Sequence, residues 1–244
     1  MFKDISPINF EANKNTRIKP ITNFNFASKL HIASVMVHEF AKVAPIYPVV
    51  FLEDKARDQF RPVALLGLEE GENLFVDGDK WQASYIPAII RRYPFVLAGS
   101  EGSDRFTICL DKGSEFVNEE DGLPLFDENG KPSESLERVK TYLQELQQME
   151  MFTAEFVKYL SEKNLFTPLN MKLRIGKEVK NMTGAYIINE ERLNSLSDET
   201  FLELRSKRYL AVIYSHLASL GQIERLVGFK DKSLAVTESV EERF

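Results

Sequence analysis

Residues 47–68, YPVVFLEDKARDQFRPVALLGL, set two compact apolar runs on either side of a polar connection. Tyr47 to Asp54 is rich in β-branched and aromatic side chains, and Pro62 to Leu68 repeats that character up to Gly67. Runs of this length bounded by polar residues read as strands, and their closeness in the chain predicts a hairpin in an antiparallel sheet. Upstream, IASVMVHEFAKVAP (32–45) mixes alanine with bulky residues and predicts a helix of about three turns that Pro45 stops. Downstream, a short strand at Leu74–Val76 and a return strand carrying Trp81 flank the turn Asp77-Gly78-Asp79.

The stretch 81–97, WQASYIPAIIRRYPFVL, predicts a short helix with Ser84 as its cap and Pro87 in its first turn. Ile86, Ile89, Ile90 and Tyr93 then form one apolar stripe, leaving Arg91 and Arg92 on the flanks of the opposite face. In residues 106–111, Phe106, Ile108 and Leu110 alternate with Thr107, Cys109 and Asp111, as in a strand with one face buried.

The pattern changes after residue 120. Residues 121–133 form a loop dense in Gly, Pro, Asn and Asp, with a tight turn at Asn129-Gly130. From Ser133, Leu136, Val139, Leu143, Leu146, Met149, Phe152, Phe156 and Tyr159 recur at spacings of three and four, which is one face of a long helix ending near Asn164. Two short apolar runs follow, around MKLRIG and GAYIIN. Ser197 or Asp198 then caps helices that break near Arg205–Arg208 and at Gly221. The reading is an α+β fold: an antiparallel, strand-rich part with two helices over 1–120, a loop over 121–133, and a mainly helical part over 134–244, packed together as one globular unit.

Among 244 residues, 43% are hydrophobic and 28% charged, enough for a sizeable core. A formal charge of −6 without a basic run argues against nucleic-acid partners. No apolar stretch approaches the roughly 20 residues of a membrane span, and the start lacks the pattern of an export signal, so a cytoplasmic location is expected. The single cysteine, Cys109, reads as a small buried thiol, and His216 as a packed histidine on a helical face.

No assembled catalytic set is visible. His38-Glu39 opens like the zinc-protease pattern H-E-x-x-H, but the fifth position is Lys42. His31 and His38 lie seven apart and supply too few ligands for zinc, so no metal is expected. Neither glycine-rich phosphate motif occurs, and no cofactor is indicated. Arginine and aromatic side chains dominate contact surfaces, which makes Arg91, Arg92, Trp81 and Tyr85 the candidate ligand- or partner-binding residues. His31, His38 and Glu39 form the alternative polar site.

Four stretches carry a family resemblance: HEFAKVAPIYPVVF (38–51), VALLGLEEGENLFVDGDKW (63–81), YIPAIIRRYPFVL (85–97) and LFDENGKPS (125–133). Together they resemble the bacterial SapC family, which is distinct from the peptide-transporter permease of the same name. The resemblance implies a link with surface-layer loci and, in other genomes, with genes for outer-membrane receptors and halogenase-like flavoproteins. It implies no particular activity, and surface association would require non-standard export. The expectation is a non-catalytic cytoplasmic accessory that binds a protein, peptide or small molecule in a pathway connected with the cell surface. An accessory enzyme built around His31, His38 and Glu39, a surface-layer structural component, and a homo-oligomer stay open.

Overall fold

The computed structural model describes residues 1–56, 59–99 and 106–241, with 236–241 described by backbone alone. Its main sheet has five antiparallel strands in the order Phe166–Ile175, Glu178–Ile188, Val49–Asp54, Gln59–Leu65 and Ile32–Ser34. The expected hairpin is present, with Val50 opposite Val63 and Phe51 opposite Pro62. Its second strand starts at Gln59, inside the polar connection that the sequence predicts. The Phe60 ring packs at 4.4 Å on Phe166 and 4.9 Å on Tyr186, so this residue of the polar segment serves the sheet.

The three-turn helix expected over 32–44 does not form. Ile32–Ser34 is an edge strand paired with Val63–Leu65, and the helical part shrinks to a 3-10 turn at Val37–Glu39 followed by Phe40–Val43. The β-branched Ile32 and small Ala33 fit the sheet edge, and backbone pairing outweighs a modest helical preference. Similarly, the two short runs of the second half are parts of a long hairpin, Phe166–Ile175 with Glu178–Ile188, whose charged outer residues hide its extent in sequence. Tyr186 pairs with Phe51, so the sheet continues from first-half strands into second-half ones.

A smaller sheet joins Ile5–Pro7, Phe106–Asp111 and Phe95–Gly99. Here the expected alternation fails, because Cys109, Leu110 and Asp111 are all buried. The N-terminal strand covers this end. Asp111 accepts hydrogen bonds from the Lys3, Asp4 and Gly113 amides at 3.1, 2.8 and 3.1 Å and from the Tyr93 hydroxyl at 3.2 Å.

The predicted long helix spans Glu134–Glu162, with Ser133 Oγ accepting from the Leu136 amide. Its Leu136, Leu143 and Leu146 pack with Phe95, Leu110 and Leu125, while its Phe156, Val157 and Leu160 enter the main core around Tyr47 and Phe51. The remaining helices are Glu190–Asn194, Asp198–Ser206, Tyr209–Ser219 and Gln222–Glu241. Ser197 caps the second of these, and the chain breaks at Arg208, whose φ is 61°, and again at Gly221. This is an α+β fold with antiparallel sheets in the first half and long helices in the second. Among the described residues no helix is long and apolar enough to cross a membrane.

Candidate functional site

Glu39 organises the segment that carries the arginines. Its carboxylate is 4% exposed, with Oε1 accepting from the Tyr85 hydroxyl and the Ala88 amide, both at 2.7 Å, and Oε2 accepting from the Met36 amide at 3.1 Å. The short helix Ala88–Arg91 is thus capped from 49 residues away. Ser84, the expected cap, is exposed and plays no part in it.

Arg91 and Arg92 diverge from the end of this helix. Arg91 is exposed; its Nε donates to the Ile86 carbonyl at 3.0 Å, its Nη2 donates to the Tyr85 hydroxyl at 3.2 Å, and its guanidinium lies 5.3 Å from the Tyr85 ring centre. Lys42 approaches the same ring at 5.8 Å. Burial, and then the neighbouring Glu39 carboxylate, push the Tyr85 pKa above its ordinary value, so its hydroxyl stays a neutral donor. Trp81 is half-buried elsewhere: its Nε1 donates to the Tyr47 hydroxyl at 2.8 Å, and Tyr47 in turn donates to the Tyr85 carbonyl. Trp81, Tyr85 and Arg91 therefore form one connected framework around Glu39 and Tyr47.

Arg92 turns the other way, into the wall of a cavity of about 450 Å³ between the hairpin strand Gln59–Leu65 and the long helix. Ile89, Leu146 and Val157 supply apolar wall; Ser34, Arg61 and the carboxylates of Asp54 and Glu150 supply polar wall. A second cavity of about 490 Å³ continues along the same helix and shares Gln59, Phe60, Ala154 and Val157 with the first. The two together make a groove reaching from Leu146 to Glu162. Among the described residues Arg92 Nε is buried without a hydrogen-bond partner, and the guanidinium makes no hydrogen bond or ion pair. It lies 5.9 Å from the centre of the Phe2 ring. Burial lowers the Arg92 pKa, and Glu150 acts in the opposite direction. The guanidinium nonetheless stays charged at neutral pH, so the groove wall holds a cation with unused donors.

His31 and His38 are not brought together. His31 offers its backbone carbonyl to the Leu66 and Gly67 amides, whereas His38 is exposed and packs edge-on against Phe152 at 5.1 Å. With Glu39 turned inward and both its oxygens engaged, these three residues share no open site. Among the described residues no group of three or more His, Cys, Asp or Glu side chains could hold a metal ion.

Sequence reasoning named Arg92 but not its groove, since Leu146, Glu150 and Val157 come from a helix more than 50 positions away. No local pattern in the sequence signals that meeting. No curated protein and no solved structure matches the chain. The SapC family model matches residues 8–226, nearly the whole length that carries the fold, and the chain belongs to the SapC family.

Proposed function

We propose that this SapC family member is a non-catalytic binding protein that holds an anionic group of a peptide or small ligand at Arg92, as a cytoplasmic accessory of a cell-surface pathway. The observation that carries the reading is the Arg92 guanidinium: partly buried, set in a groove wall, and with none of its donors engaged among the described residues. Leaving such a group unpaired costs stability, and a carboxylate or phosphate oxygen supplies the missing partner in a bidentate fork. Trp81, Tyr85 and Arg91 act in support, holding the helix that aims Arg92.

Thermal unfolding with a panel of small carboxylates and inorganic phosphate tests this. A ligand present at ten times its Kd raises Tm by roughly 3–6 °C for a chain of this size. The expected result is a rise with at least one anion in the wild type that disappears in Arg92→Leu. No rise with any anion, or an equal rise in the variant, would refute the reading.

A further inference from the structure

The groove beside Arg92 also exposes part of a sheet edge. Among the described residues strand Ile32–Ser34 pairs only with Val63–Leu65, and the Val35 amide then closes that edge by donating to the Pro62 carbonyl at 3.2 Å. Backbone groups of alternate residues point to the same side of a strand, so the Phe60 amide and carbonyl point the same way as the Pro62 carbonyl. Among the described residues the sheet has no further strand on that side of Gln59–Arg61. Among the described residues Phe60 makes no backbone hydrogen bond outside the sheet ladder. Both cavities are lined by Gln59 and Phe60 on one side and by the helix residues Ala154 and Val157 on the other.

An unpaired strand edge facing a helix, with a cation at one end, is the arrangement that receives an extended chain by strand addition and fixes its end by charge. The long helix between Leu146 and Glu162 offers about 24 Å of wall, the span of about seven extended residues. A guest strand at Gln59–Arg61 is collinear with Ile32–Ser34 and runs into it at Ser34 and Val35, the residues that line the cavity with Arg92. The guest must end or turn at that point. A chain end there places its carboxylate beside the unused donors of Arg92, which selects a guest running parallel to Gln59–Leu65.

We propose that the groove takes the C-terminal segment of an extended peptide, paired with the edge at Phe60 and with its terminal carboxylate held by Arg92. This rests on the anion-binding reading above and names its ligand class. The test is binding of a fluorescent random hexapeptide library, prepared as free acids and as C-terminal amides, to wild type, Arg92→Leu and Ala154→Trp. Ala154 is exposed and lines both cavities, so the tryptophan fills the groove without entering the core.

The expected result is selection of free-acid peptides, with at least about tenfold weaker binding for their amides and for Arg92→Leu, as for loss of a hydrogen-bonded charge pair. In Ala154→Trp, peptide binding is lost while the Tm response to small carboxylates is kept. Bound peptide slows hydrogen exchange at the Phe60 amide. Amidated peptides binding as well as acids would overturn the terminal-carboxylate assignment. Small carboxylates binding at Arg92 with no peptide selected would overturn this inference while leaving the anion reading intact; no response to either class would remove both.

Discussion

Two adjacent arginines have opposite physical roles here. Arg91 is exposed and tied by two hydrogen bonds to the Ile86 carbonyl and the Tyr85 hydroxyl, whereas Arg92 is partly buried beside Ile89 and Leu146 with no partner for its Nε among the described residues. Replacing an unpaired, partly desolvated charge by an apolar side chain of similar length removes a cost, so Arg92→Met should stabilise the protein by about 0.5–2 kcal/mol. Urea unfolding checks this as a higher midpoint at unchanged slope. Glu39→Ala should act in the other direction, because the Met36 and Ala88 amides and the Tyr85 hydroxyl would lose their acceptor; a loss of about 2–4 kcal/mol in the same assay is expected. His216 adds a pH dependence. It is fully buried, its Nε2 accepts from the Ile188 amide at 3.1 Å, and burial pulls its pKa down to about 4. In the unfolded chain it takes up a proton near pH 6.5, whereas the folded form resists until about 4. Stability therefore falls as pH drops through that window, by about 2–3 kcal/mol between pH 6.5 and 4.5. Glu69, held down to about pKa 2 by Lys180 and Lys230, gives stability that is present above its unfolded value near 4.5 and is lost mainly as pH falls below it. Urea midpoints between pH 7 and 5 thus report His216, and His216→Gln should flatten them.

Elements were legible in the sequence where their causes are local. The hairpin around residues 49–65, the start of the long helix after Ser133 and the breaks near Arg208 and Gly221 each follow from neighbours in the chain. The strand Ile32–Ser34 and the cap of the helix Ala88–Arg91 depart from the sequence expectation at the points where a distant partner decides: the Val63–Leu65 strand recruits the first, and Glu39 caps the second in place of Ser84. The candidate site follows the same division. The residue Arg92 could be named from its helix, but the groove needs the meeting of that helix with Gln59–Leu65 and Glu134–Glu162. A further distant partnership holds the last helix. Lys230, mostly buried, donates to Glu69 at 2.8 Å and Glu72 at 2.7 Å, and Lys180 of the long hairpin also pairs with Glu69. Lys230→Met should cost about 1–2 kcal/mol by leaving Glu72 without this partner. The expected signature is faster hydrogen exchange first in residues 222–235 and 67–73, with the centre of the main sheet unchanged; uniform acceleration would mean the cluster supports the whole fold instead.

At the scale of the molecule, the change of composition near residue 120 suggests a seam that the contacts cross repeatedly. Tyr186 pairs with Phe51, the Val49 amide donates to Ser219 Oγ at 3.0 Å, and the Val37 amide donates to Thr153 Oγ at 3.1 Å. In each case a second-half residue completes a first-half element. The long helix carries Leu143 into one hydrophobic cluster and Phe156 into the other, and both side chains are almost fully buried. Elements coupled this closely should unfold together. Calorimetry is expected to show one transition with equal calorimetric and van't Hoff enthalpies. Leu143→Ala, which empties a site in the smaller cluster, should lower stability by about 2–5 kcal/mol and shift that single transition without splitting it. A fragment ending at residue 125 leaves Val49–Asp54 as a bare edge strand lacking the pairing that Glu178–Ile188 provides, and exposed edges of apolar strands associate. It should therefore aggregate or stay unfolded. A folded monomeric fragment, or two separated calorimetric peaks, would show that the seam in composition is also a seam in stability.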